Sequence, residues 1–169
     1  MLEILGRKRE ATSEQLKRTY QNDLRAIGRY ADDSGHRNVG VYEVNAGFIV
    51  RATPRTDSTV IEALEIPDSD LTGLILKNFT ARRGRGQDAS PPPLCPTGYE
   101  DFLRALGYEL DKISARNVTV QEMVDCFAVS YQELAPTAEG YAHNPRSLIL
   151  DMSAIQEILD EAFRRRGAR

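Results

Sequence analysis

Apolar positions along this chain switch between two rhythms, and the switch happens twice. Tyr99, Phe102, Leu103, Leu106 and Leu110 recur at spacings of three and four, which places them on one face of a helix. Val118 and Val120, then Phe127 and Val129, recur with period two, as in strands with one covered face. Helical spacing returns in Ile155, Ile158, Leu159, Ala162 and Phe163. The first half runs through the same succession, with Val39 and Val41, Phe48 and Val50, then the stripe Leu71, Leu74, Ile75 and Phe79.

These rhythms predict leading helices over Ser13–Asp33 and Thr97–Ile113. Thr12 or Ser13 is the expected N-cap of the first and Thr97 of the second, with Glu100 three residues on as in a capping box. Hairpin turns are expected at Asn45-Ala46-Gly47 and Val124-Asp125. Third strands are expected over Thr59–Ile66 and Leu148–Met152, and second helices from Asp68 and Ser153. Both of these helices run into arginines and a glycine, Arg82-Arg83-Gly84 and Arg164-Arg165-Arg166-Gly167, a helix stop signal.

The two halves also match residue by residue. A shift of 79 sets Tyr20–Ala52 on Tyr99–Tyr131 without a gap, and 13 of the 33 pairs are identical. Composition alone would give about two. Among the identical pairs are Tyr20/Tyr99, Arg25/Arg104, Gly28/Gly107, Asp32/Asp111 and Glu43/Glu122. Downstream the match resumes at a shift of 84, from Leu64/Leu148 to Phe79/Phe163, so the second half should hold a longer loop near Gln132–Ser147.

The expected fold is α+β, a tandem duplication of an α-β-β-β-α unit with an antiparallel three-stranded meander in each half. The repeats are assigned to residues 1–83 and 97–169, joined by a linker at 84–96. That linker holds Pro91–Pro93 and is expected on the surface, extended in part. Units of this size have marginal cores alone, so the halves are expected to pack together with pseudo-twofold symmetry. Whether they join sheet to sheet or helix to helix is left open. The α-β-β-β-α order resembles the halves of bacterial secretion-chaperone-like proteins, a resemblance of element order that implies architecture alone.

Composition changes little in this picture. Hydrophobic residues make up 41% and charged residues 28% of 169, as in ordinary soluble domains. The net charge of -3 gives no ground to expect nucleic-acid binding through overall charge. Arginine outnumbers lysine 18 to 4, through coding bias or through selection for bidentate recognition of carboxylate and phosphate. No apolar run is long enough to span a membrane, and the short N-terminal apolar stretch does not fit a signal peptide. A cytoplasmic location is expected. Cys95 and Cys126 are far apart and lack metal-ligand spacing, so Cys126 reads as a small core residue.

Candidate chemistry is sparse. No HExxH, CxxC, GxSxG or P-loop pattern occurs, and neither catalytic residues nor a cofactor or metal is expected. His36 reads as a solvated loop residue, since Ala115 stands at its counterpart. Glu43 and Glu122 follow two valines at strand parity, which aims both at the covered face; they could pair with arginines or meet at the pseudo-twofold axis around a ligand. Tyr131, Tyr141 and His143 are ligand candidates because they cluster around the longer loop. Arg82, Arg83, Arg165 and Arg166 are candidates for phosphate.

The expected function is a non-enzymatic protein-interaction module with a protein partner, which presents a sheet face or the groove between halves. It would be a monomer with an internal pseudo-dimer, or a homodimer. Alternatives are nucleic-acid binding through the arginine-rich helix ends, and a small-ligand sensor or enzyme using the second-half loop. Low aromatic content, at 7%, speaks against single-strand stacking.

Overall fold

The computed structural model describes residues 17–80 and 91–167. It is α+β, with four helices and a six-stranded antiparallel sheet among the described residues. In chain order the elements are α1 (Tyr20–Asp33), β1 (Arg37–Val44), β2 (Gly47–Thr53), β3 (Glu62–Pro67) and α2 (Asp68–Thr80). Then come α3 (Tyr99–Lys112), β4 (Arg116–Glu122), β5 (Cys126–Thr137), β6 (Gly140–Asp151) and α4 (Met152–Gly167). No described helix is long and apolar enough to cross a membrane.

Two three-stranded meanders join edge to edge. The strand order is β3-β2-β1-β4-β5-β6, and β1 pairs with β4 through Gly40↔Gln121, Val41↔Val120 and Tyr42↔Thr119. Each central strand carries a bulge where the register to its hairpin partner shifts, around Asn38 and Asn117. Both asparagines sit in the left-handed region, at φ 53° and 52°, which Asn tolerates better than bulkier residues.

The helices cover one face. Leu24 and Ile27 of α1, Phe102, Leu106 and Leu110 of α3, and Val39, Val41, Phe48, Val118, Val120 and Phe127 from the sheet form the buried core. Phe102 and Phe127 touch with ring centroids 4.6 Å apart. Residues of the other parity, such as Tyr42, Ile49, Arg51, Thr119 and Ser130, are half-buried or exposed.

α1 and α3 lie against each other at the centre, with α2 beside α1 and α4 beside α3. Their close approach requires glycine twice. A Cβ on Gly28 would lie 2.7 Å from the Tyr99 carbonyl oxygen, and one on Gly107 would lie 2.5 Å from that of Tyr20. The same approach lets each helix cap the other. Asp32 accepts from the Tyr99 and Glu100 amides at 2.8 and 3.0 Å, and Asp111 accepts from the Tyr20 and Gln21 amides at 3.0 Å each.

Several expectations need correction. α1 starts at Tyr20, and its N-cap is Thr19, whose hydroxyl accepts from the Asn22 amide at 3.2 Å. Thr12 and Ser13 lie outside the described residues. The N-cap of α3 is Gly98 rather than Thr97, with no side-chain cap of its own, and Glu100 pairs with Arg25 instead of closing a capping box. In both helices the carboxylate from the opposing helix sets where the first turn begins. The expected loop at Gln132–Ser147 is a hairpin arm, since β5 and β6 pair continuously from Cys126↔Asp151 to Thr137↔Gly140. Their added length lies beyond the core, so periodicity of burial could not reveal it.

The end of the linker is only partly on the surface: Pro91, Pro93 and Pro96 are exposed, and residues 84–90 lie outside the described residues. Pro92, Leu94 and Cys95 are buried, the last completely. Cys95, not Cys126, is the core thiol, as Cys126 is only half-buried. His36 is also buried, at 6% exposure, edge-on to Tyr30 and 3.5 Å from Glu62, because β3 folds back over the turn that carries it.

Candidate functional site

The covered face ends in a tyrosine–glutamate pair at each end of the central ladder. Strand parity turns Glu43 of β1 and Glu122 of β4 toward the helices, where the first residues of α1 and α3 meet them. The Tyr20 hydroxyl donates to Glu43 Oε1 at 3.1 Å, and the Tyr99 hydroxyl donates to Glu122 Oε2 at 2.6 Å. The two glutamates do not meet. With Val41 opposite Val120 they leave opposite ends of the ladder, four residue steps and roughly 13 Å apart. A single ligand held between both carboxylates at the centre is thereby eliminated.

The pairs differ in their surroundings. Around Glu122 the site is closed: Tyr99 and Cys95 are fully buried, Leu94 nearly so, and Glu122 itself is 8% exposed. The bulge at Asn38 leaves the Val39 amide free to donate to Glu122 Oε2 at 2.9 Å. Burial is the largest influence on this carboxyl and holds its pKa above the ordinary glutamate value, against the Tyr99 and Val39 hydrogen bonds. Burial also pushes up the Tyr99 hydroxyl and the Cys95 thiol, and the Glu122 charge adds to both.

Among the described residues the surroundings of Glu43 are open. A cleft of about 590 Å³ runs from Tyr20 and Glu43 past Arg116 and Asn117 to Gln132 and His143 on the hairpin arm. A second hollow shares Tyr20 and Glu43 and continues to Arg18, Asp23, Asp68 and Asp111. Arg18 bridges Asp23 and Asp68 at 2.8 Å each, and Asp111 is held by the amides of α1. Burial, opposed by Arg18, raises the Asp23 pKa, and burial likewise raises that of Asp111. Glu43 Oε2 is buried and has no hydrogen-bond partner among the described residues. The Tyr20 hydroxyl is pushed up by burial first and then by Glu43, so it stays protonated as a donor.

The sequence-predicted residues fall into three places. Glu43 and His143 line one cleft, Glu43 at its floor and His143 exposed on its rim. Glu122 belongs to the closed end; Tyr131 is buried at 9% and Tyr141 is 74% exposed near the arm's turn. Arg165 and Arg166 lie away from both, in a hollow between α3 and α4, and Arg82 and Arg83 lie outside the described residues. Sequence reasoning missed Tyr20 as the donor to Glu43 and the burial of Cys95 near Glu122. Retention of both members of each Tyr–Glu pair was a usable signal for the first.

No protein-family model, no curated protein and no solved structure matches this chain.

Proposed function

We propose that this chain is a protein-interaction module, a tandem duplication whose halves are related by a pseudo-twofold axis near Val41 and Val120, and that it takes a short segment of a protein partner at the Tyr20–Glu43 cleft. One observation carries the reading. The two Tyr–Glu pairs are equivalent under the 79-residue shift, yet Glu122 is buried with Cys95 nearby, while Glu43 opens, among the described residues, on a cleft. The stretch 92–98, two consecutive turns in which Leu94 and Cys95 are buried, exemplifies how a short piece of chain packs near such a pair. The open pair keeps a buried carboxylate oxygen with no donor among the described residues, which a lysine or arginine of the incoming segment would satisfy. The β5–β6 arm forms one wall and exposes Leu134 and Tyr141, side chains suited to partner contact.

The test is selection from a random peptide library, followed by measured affinities. Selected peptides are expected to carry a basic residue and to bind at least about tenfold more weakly to Glu43→Gln, the loss of one charge-assisted hydrogen bond. Replacing residues 135–142 by a tight two-residue turn should also weaken binding while thermal stability holds, since that stretch is largely exposed. Absence of saturable peptide binding, or affinities indifferent to Glu43→Gln, would overturn the reading.

A further inference from the structure

The hollow between α3 and α4 has a different chemistry. Arg104, Arg165 and Arg166 line it, with Tyr108 beneath and Gln21 from the start of α1 at its edge. Arg165 lies over the Tyr108 ring with its guanidinium carbon 3.7 Å from the centroid, a stacking that holds the group in place. Arg165 also lies 3.6 Å from Glu109, and Arg166 lies 3.9 Å from Asp101. Both separations exceed good charge-assisted hydrogen bonds, so these arginines keep donors for another acceptor.

Arg104 is the centre of the argument. Its counterpart under the 79-residue shift is Arg25, which pairs with Glu100 at 3.2 Å. The same shift sets Gln21 at the position of Glu100. Arg104 therefore faces a neutral amide where Arg25 faces a carboxylate, and no described residue hydrogen-bonds to it or pairs with it within 4.0 Å. A half-buried guanidinium without an acceptor is costly, and an anion removes that cost. Burial, then Arg25 and Arg166, lower the Arg104 pKa to about 10 against the opposing charges of Asp101 and Glu100, which leaves it charged at neutral pH.

We infer that Arg104, Arg165 and Arg166 form a binding site for one phosphate-class oxyanion, free or as the monoester of a small molecule, in the place of the missing carboxylate. The hollow, of about 150 Å³, suits a single such group and opens to solvent, where an ester substituent would project. This site is separate from the Tyr20–Glu43 cleft, and it stands or falls without it.

The test titrates inorganic phosphate, and separately glycerol 3-phosphate, against sodium chloride of equal ionic strength while thermal unfolding is followed. Phosphate at ten times its dissociation constant is expected to raise the midpoint by about 3–6 °C, with chloride without effect. A larger rise with glycerol 3-phosphate identifies the monoester as the preferred form; a larger rise with inorganic phosphate identifies the free anion. Arg104→Gln should bind phosphate at least about tenfold more weakly. Gln21→Glu restores the carboxylate found opposite Arg25; it should raise the midpoint without phosphate and abolish the response to it. Arg164→Gln, whose parent side chain pairs with Glu161 outside the hollow, should respond as the unsubstituted protein does. No response of the unsubstituted protein to millimolar phosphate, or a response that survives in Gln21→Glu, would overturn the site, and the second variant decides even if Arg104→Gln fails to fold.

Discussion

The Tyr99 hydroxyl donates to Glu122 Oε2 at 2.6 Å, and both residues are buried, as is Cys95 nearby. Desolvation outweighs this bond and raises the Glu122 pKa above its ordinary 4.5. The folded state therefore binds this proton more tightly than the unfolded chain does. The resulting stabilisation is fully present below pH 4.5 and is lost as pH rises through the folded-state pKa. Glu122→Gln keeps an acceptor oxygen and cannot ionise. Urea unfolding at about pH 4 and about pH 7 should show the variant gaining on the parent protein as pH rises. Parallel pH profiles would contradict this.

Gly28 and Gly107 let α1 and α3 approach to backbone contact. Alanine at either position should destabilise by about 1–3 kcal/mol, because the added carbon meets carbonyl groups that cannot rotate away. Gly73 in α2 has nothing within 4 Å of its would-be Cβ, and Gly73→Ala should stabilise by about 0.5–1 kcal/mol through helix propensity. Denaturant midpoints of the three variants check the contrast, which fails if all three move the same way.

Asp32 and Asp111 each accept two backbone amides at the start of the opposing helix. Alanine at either should cost about 0.5–2 kcal/mol. Hydrogen exchange should then speed up at the amides the lost carboxylate held, Tyr99 and Glu100 for Asp32→Ala, and Tyr20 and Gln21 for Asp111→Ala. Faster exchange confined to the mutated residue's own helix would be the wrong outcome.

Cys95 is fully buried and its thiol pKa is pushed up by burial, so it should resist alkylation in the folded protein. Cys126 is half-buried at the start of β5. Mass spectrometry after native treatment with a thiol reagent should find Cys126 modified well before Cys95, and both modified in denaturant. Early labelling of Cys95 would mean that the stretch carrying it opens readily.

Particular residues mark how far the chain could be read without its fold. The period-two valines Val39, Val41, Val118 and Val120 placed the central strands and their covered face, because burial of alternate side chains leaves a direct trace in residue type. The helical stripe from Tyr99 to Leu110 placed α3 for the same reason. The hairpin arm left no such trace, since residues such as Tyr141 and Arg146 project beyond the core and burial does not constrain them.

The site was legible only in parts. Strand parity aimed Glu43 and Glu122 inward, but it held no information about what covers each of them. That Val41 pairs with Val120, which keeps the two carboxylates apart, depends on which strand edges join. That Asp111 caps Tyr20, 91 positions away, and that Cys95 is buried near Tyr99 and Glu122 while Glu43 lines a cleft that is open among the described residues, depends on how α3 and the linker settle on the sheet. Local residue order carries propensity and periodicity, and these set elements and faces. Contacts between distant segments arise only when apolar faces are buried against each other, and they decide which polar groups are capped, sealed or left facing water.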